Sequence, residues 1–399
     1  MLNICVVAQR VPYPPNKGEK LRTFHQIERL VQLGHQVEVL ALKETQQDEK
    51  DADALSTKLN ISVSTFPLPA KLSRYLTALL KGWPLSVGAF YSQALHKAIN
   101  ERMTSAVDVM LFSASSLGYY VLNSSNSTNA TPHLMMDFMD VDSSKWQQYA
   151  QAASVPMKWV YRRESKKIRQ LESQINREFL QTFLIAEEEV TLFHRTVSDS
   201  KPVKVLGNGL DFDTFYPRKK NGSVSKNNFL FTGVMDYKPN VDAVCWFVSL
   251  CWPQIKARIP DATFTIAGMN PSSQVQALTK HDGIEVTGFV DDILPYFHSA
   301  AAFVAPFRIA RGVQNKVLQA AACKLPIIST SMGAEGIRFA NSNTLFIADQ
   351  VDGFVDRCID AVTKPELAEQ HAQRAYDAIL SEYSWQQQLK PLEDLLASL

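Results

Sequence analysis

The sequence predicts an α/β protein made of two Rossmann-like, doubly wound domains facing each other across a cleft. Three observations carry this. Short apolar runs alternate with helix-length amphipathic segments in both halves of the chain. The apolar runs are continuous rather than alternating in and out, as strands of a parallel sheet covered on both faces require. With 399 residues the chain has room for two ordinary domains.

In the first half, strands are expected at residues 3–8, 36–42, 61–66, 108–112, 133–138 and 181–185. Helices are expected at 20–33, where apolar positions recur every three or four residues and Gly34 stops the run, at 92–103 and at 156–178. The second half repeats this grammar. Strands are expected at 228–232, 262–267, 284–287, 301–305, 326–329 and 344–348. Helices are expected at 241–259, 272–280, 291–299, 313–323, 353–363, 366–382 and 385–396.

Residues 203–206 read as one more strand. The stretch from Gly207 through the Lys/Gly/Ser-rich run at 218–223 then has linker composition. The domains are therefore placed at 1–206 and 228–399 with a linker at 207–227, and the last helices can pack back on the first domain.

Composition narrows the function. There are 41 basic and 40 acidic residues, a net charge of +1, which argues against a nucleic-acid partner. The five cysteines at 5, 245, 251, 323 and 358 form no C-x-x-C pair and read as inert thiols of a reduced, cytoplasmic protein. No run reaches the length of a transmembrane helix, and the N-terminus reads as a strand rather than a signal peptide.

Ligands of open α/β sheets sit outside the carboxyl ends of the strands, which directs attention to the βα loops. The first loop carries three prolines, Lys17, Gly18, Lys20 and Arg22 at a helix start, where anions are favoured. It reads either as a contact to a phosphorylated or hydroxylated ligand or as a basic, solvated turn. The missing G-x-G-x-x-G disfavours a dinucleotide cofactor.

The loop from Ala305 to Lys316 places Arg308, Arg311 and Lys316 within nine residues around Gly312, Val313 and Asn315. Cations at a helix start oppose the helix dipole, so an anion such as a diphosphate is the expected compensation. Gly233 with Tyr237, Gly288 with Phe289, and Gly333 with Glu335 mark three more glycine-bearing loops at the same sheet edge, Phe289 being suited to a planar base.

These residues carry a resemblance. The runs 230–243, 286–292, 305–318 and 326–330 resemble retaining glycosyltransferases of family 4. The segments 12–18 and 137–143 look like sugar transferases of exopolysaccharide and exosortase-associated (PEP-CTERM) clusters. Asn208-Gly209-Leu210-Asp211 looks like the motif that opens that family's interdomain crossover.

The resemblance implies a GT-B fold and transfer of a hexosyl unit, with retention, from a nucleotide-diphosphate sugar to a glycan acceptor, lipid-linked, in surface polysaccharide synthesis. By resemblance, Arg308 and Lys316 neutralise the donor diphosphate with help from the Gly312 and Val313 amides, and Gly288 and Phe289 edge the base. The Gly18 loop closes over the diphosphate and sugar.

One departure stands out. The family has two glutamates eight positions apart where this chain has Arg311 and Gln319. Gln319 can still accept a bond from a ribose hydroxyl, and Arg311 suits a carboxylated sugar or a phosphate. The replacements keep open a non-catalytic nucleotide-sugar-binding subunit. A nucleotide-sugar 2-epimerase is the enzymatic alternative.

Three D-x-D pairs occur, at 51/53, 140/142 and 211/213. The cationic loop is expected to do the neutralising work of a metal, so no obligatory divalent ion and no resident cofactor are expected. Asp140 is a candidate catalytic group in the cleft; with Asp142 it reads equally as a helix N-cap region. The segments 71–83 and 158–169 mix Arg and Lys with Trp, Tyr and Leu. They read either as ordinary packed helices or as a peripheral contact with the inner membrane surface.

Overall fold

The computed structural model describes residues 1–15, 18–122, 132–219, 226–309 and 313–399. The chain divides into two compact units, Met1–Asn208 with Gln388–Leu399, and Gly209–Gln387. Residues 388–399 thus belong with the first unit, and residues 209–219, read as linker, with the second.

The first unit contains β1 (Asn3–Ala8), β2 (Gln36–Lys43), β3 (Ser62–Pro67), β4 (Val109–Ser113), β5 (His133–Met139), β6 (Gln181–Leu184) and β7 (Val203–Val205). All pair in parallel, in the order β3-β2-β1-β4-β5-β6-β7. The winding reverses between β1 and β4, so this sheet's switch point lies at their carboxyl ends. Its helices are α1 (Gly18–Gln32), α2 (Gln46–Leu59), α3 (Lys71–Leu80), α4 (Leu85–Ala89), α5 (Gln93–Met103), α6 (Tyr119–Leu122), α7 (Asp142–Ala152), α8 (Met157–Glu178) and α9 (Glu187–Thr196).

Helix α1 buries Phe24, Ile27 and Leu30 and is stopped by Gly34 at φ 81°. Helix α2 escaped the periodicity reading because it buries only Ala52 and Leu55. Its signal is local instead: Thr45 and Asp48 form a reciprocal capping box.

The second unit contains β8 (Asn228–Thr232), β9 (Thr263–Ala267), β10 (Ile284–Gly288), β11 (Ala302–Ala305), β12 (Ile327–Ser329) and β13 (Phe346–Ile347). These are again parallel, in the order β10-β9-β8-β11-β12-β13, with the reversal between β8 and β11. Its helices are α10 (Lys238–Trp246), α11 (Trp252–Arg258), α12 (Ser273–Gln276), α13 (Leu294–Ser299), α14 (Asn315–Ala322), α15 (Val351–Thr363) and α16 (Pro365–Glu382), followed by α17 (Trp385–Ala397), which runs into the first unit.

The single helix expected over 241–259 is two helices joined by a π-helical turn at Phe247–Cys251. Pro253 lacks an N–H and would crowd the carbonyl four residues back, and the wider turn just before it relieves that. The turn also delivers Phe247 and Trp252 into the aromatic core around Phe264.

Candidate functional site

The carboxyl ends of β8 and β11 converge on one side chain, Lys316, in the first turn of α14. Its Nζ lies 4.7 Å from the ring centre of Phe231 and 5.0 Å from that of Phe307, and donates to Asn240 Oδ1 at 2.6 Å. Asn240 is buried and fixed by its own bond from Nδ2 to the Val234 carbonyl at 2.9 Å. Two aromatic faces and one amide oxygen thus hold the ammonium.

Among the described residues no carboxylate offsets this charge, and burial pushes the Lys316 ammonium down to about 7. An ammonium held in such a place without a counterion is an electrostatic vacancy for an anion.

Gly233 is required by this arrangement. A Cβ there would sit 2.7 Å from Asn240 Nδ2 and 2.8 Å from Lys316 Nζ. Behind it, a Cβ on Gly268 would lie 1.7 Å from the Gly233 carbonyl oxygen, so the loops after β8 and β9 meet backbone to backbone.

Arg308, after β11, is half-exposed and already paired. It donates from Nε to Asp242 Oδ2 at 3.1 Å and from a terminal nitrogen to Oδ1 at 2.5 Å. The loop after β12 is tied to the same edge. Thr330 donates from Oγ1 to the Phe307 carbonyl at 2.5 Å and accepts from the Gly333 amide at 3.1 Å. A Cβ on Gly333 would approach the Ala305 carbonyl to 2.6 Å.

The remaining second-unit candidates stand as follows. Gly288 closes β10 at φ 71°, and Phe289 beside it is 66% exposed. Tyr237 is exposed at the start of α10, and Glu335 and Asn315 are exposed. Val313 and Gln319 are half-buried. Gln314, the N-cap of α14, makes no side-chain cap bond. Arg311 and Gly312 lie outside the described residues, as does Lys17.

Strand order therefore sets Gly233, Gly288, Arg308 and Gly333 along one edge, and Lys316 joins Gly233 there. Asn240 and Asp242 escaped the sequence reading as site residues. Their signal was position, a polar pair in the helix that follows the Gly233 loop.

In the first unit, Arg22 is not a loop cation. Its side chain is 1% exposed and forks onto Asp137, itself 0% exposed, at 2.5 and 2.9 Å. Gln26 adds a bond to Asp137 at 2.6 Å, and Arg22 reaches Asn208 Oδ1 at 3.1 Å. The donor-binding role read for Arg22 is corrected to a structural one: its charge is fully compensated inside the unit.

Lys20 points inward to the Tyr13 carbonyl at 3.2 Å and lies 4.0 Å from Asp51. Gly18 opens α1 with open space where a Cβ would stand.

A pocket of about 30 Å³ sits at this sheet's switch point, lined by Gln9, Arg10, Lys20, Ser113, Ala114 and Met139 among others. Ala114 and Met139 adopt φ of 94° and 66°, left-handed values that cost energy for residues with a Cβ.

Asp140 follows as an exposed residue. Asp142 does not cap α7 through its side chain; it accepts from Ser115 Oγ at 2.6 Å. Burial raises the pKa of Asp142 and of Glu189, whose carboxylate accepts from the Val141 amide at 2.8 Å. Among the described residues no group of three or more His, Cys, Asp or Glu side chains is gathered so as to hold a metal ion, and no helix is long and apolar enough to cross a membrane.

Residues 226–364 match the family model described as glycosyl transferases group 1. Over 357 residues, 88% of each chain, the protein is 22% identical to an uncharacterized 44.6 kDa protein in the cps region of Klebsiella pneumoniae. Over 203 residues, 47% of this chain and 51% of the relative, it is 22% identical to the 2-deoxystreptamine N-acetyl-D-glucosaminyltransferase of Niallia circulans.

Among solved structures it superposes on Anabaena HepE, determined with UDP and glucose, with a TM-score of 0.67 at 13% identity over the whole of both chains. Its structural neighbours are GT-B glycosyltransferases, and two parallel-sheet Rossmann-like units are the fold they share with it. The family match together with these neighbours supports a glycosyltransferase.

Proposed function

We propose that the protein is a retaining family 4 hexosyltransferase. It takes a hexosyl unit from a nucleotide-diphosphate sugar and passes it to a lipid-linked glycan acceptor in the synthesis of a surface polysaccharide. The observation that carries this reading is the Lys316 ammonium at the β8/β11 switch point, which has no carboxylate partner among the described residues and is packed against the Gly233 loop. The uncharacterized relative encoded in a cps region and the UDP complex of the structural neighbour point the same way.

As the bond between the sugar and the diphosphate breaks, negative charge builds on the leaving phosphate. Lys316 meets that charge from a preorganised site, so its attraction strengthens toward the transition state. Arg308, steered by Asp242, presents its remaining N–H groups to the same diphosphate. The start of α14 adds backbone amides, Val313 next to it. A phosphate oxygen of the donor takes the proton of the attacking hydroxyl, which delivers the acceptor to the face the donor leaves and retains configuration.

These side chains supply the neutralisation, so transfer is proposed to need no divalent ion, and activity in EDTA checks this. Asp140, exposed after β5, is proposed as the first unit's polar group on the acceptor side.

Thermal-shift titration with UDP, GDP and their sugars, on the wild type and on Lys316→Met, tests the reading. Stabilisation by one nucleotide series that Lys316→Met loses supports it; equal stabilisation of both proteins overturns it. Incubation with donor alone distinguishes transfer from epimerisation, because only an epimerase turns over without an acceptor.

A further inference from the structure

We propose that the first unit docks on an anionic lipid bilayer through a single face built from α3, the turn at 81–84 and the N-terminal half of α8.

Helix α3 is amphipathic with its faces reversed. Ala78 is its one buried residue, while Leu72, Leu76, Leu79 and Leu80 are 73%, 51%, 54% and 88% exposed. Their spacing places them on one stripe. A helix of an ordinary domain turns such a stripe to the core.

Here the other side is locked down. A Cβ on Gly88 of α4 would lie 2.4 Å from Ala78 Cβ and 2.9 Å from the Arg74 carbonyl, and the Arg74 guanidinium bonds to the Ala89 carbonyl. The leucines therefore face outward because α3 is pinned by its small and polar side.

The same fastening brings α8 alongside. Glu164 accepts from the Leu85 amide at 2.7 Å and from the Ser86 amide and hydroxyl at 2.8 Å, which caps α4. Arg163 donates to the Trp83 carbonyl at 3.0 Å, and Lys81 lies 4.7 Å over the Trp83 ring.

Between 158 and 169, α8 carries six cations and one carboxylate, Glu164, whose side chain is turned fully inward. Lys158, Arg162, Lys166 and Arg169 line an open groove of about 570 Å³ with Gln147 and Gln151 of α7. Trp159 stands 71% exposed beside them. In a chain of net charge +1 this is a strong local concentration.

The charge pattern selects the occupant. A leucine stripe alone would suit any apolar partner. A leucine stripe on a helix fastened through α4 to an α8 segment with six cations and an exposed tryptophan suits the level where acyl chains meet anionic headgroups. A second copy would set the same cations against each other. The inference does not depend on the donor chemistry proposed above, although a lipid-linked acceptor would be reached from such a surface.

Flotation of the full chain with vesicles tests it. With vesicles of phosphatidylcholine and about 30% phosphatidylglycerol at low salt the protein floats; with phosphatidylcholine alone, or at high salt, partitioning falls at least tenfold. The double variant Leu76→Glu/Leu79→Glu loses flotation. Arg162→Gln/Lys166→Gln lowers the partition coefficient about 25-fold, about fivefold per charge.

All of these positions are surface residues, so both variants keep the wild-type melting temperature and nucleotide-sugar binding. Lys316→Met, expected to lose nucleotide binding, floats like the wild type. Three results overturn the proposal: no flotation of the wild type with anionic vesicles at low salt, flotation that survives the leucine variant, or a dimer that the leucine variant converts to monomer without vesicle binding.

Discussion

Arg22 in the first unit and Lys316 in the second occupy comparable places. Each lies in the first turns of the helix that follows a strand at its sheet's switch point. Each is withdrawn from water. Arg22 forks onto Asp137, which also accepts from Gln26 and from the Met139 amide, and no charge is left over. Among the described residues Lys316 meets only an amide oxygen and two aromatic faces. Burial makes a cation conspicuous, but what makes one a candidate for ligand binding is a missing counterion. By that criterion the first is scaffold and the second a candidate for ligand binding.

The difference can be broken at either end. Arg22→Met strands Asp137 in the core, so a stability loss of about 3–5 kcal/mol is expected in denaturant titration, with nucleotide-sugar affinity of the folded protein unchanged. Wild-type stability in that variant would remove the distinction.

Lys316→Met is expected to lower kcat/KM about 10²–10³-fold in a transfer assay. The same variant should be more stable than the wild type by about 1–2 kcal/mol without ligand, since it deletes an unpaired buried charge.

The pH dependence sharpens the contrast. Free Lys316 titrates near pH 7, and a bound diphosphate raises that value. Below pH 7 the ammonium is already formed and affinity is flat. Above it, binding must take up a proton, so Kd for the nucleotide sugar rises by up to tenfold per pH unit until the bound-state pKa is passed. Titration calorimetry between pH 6 and 9 checks this, and Lys316→Met should flatten the profile.

The sign for stability is opposite to that of a paired group. The cost of the depressed lysine is fully present below pH 7 and fades as pH rises toward the unfolded value of 10.5. The stability gap between variant and wild type should therefore close in alkali.

The smallest effect is expected at Asp242→Asn. It frees a half-exposed Arg308 and should cost at most about 1 kcal/mol of stability in denaturant titration.

The strands were legible because continuous apolar runs leave a parallel strand few alternatives, and every expected strand is present within a few residues of its reading. Helices such as α2, α7 and α9 were not, because each buries little and the 3.6-residue period is correspondingly faint. The π-turn before Pro253 was hidden inside a convincing helical pattern. In the candidate site, the glycines and cations were visible in the sequence as residue types. The partner of each cation could not.

The order of apolar runs and the glycines after them were enough, without coordinates, to set two parallel sheets and to point at their carboxyl edges, since strand and loop preferences act within a few residues. Which cation would be cancelled and which left open was decided by contacts between positions 115 apart for Arg22 and Asp137, 66 for Arg308 and Asp242, and 76 for Lys316 and Asn240. Such pairings exist only once the strands are in register and the helices packed, because burial and charge compensation are properties of neighbours in space.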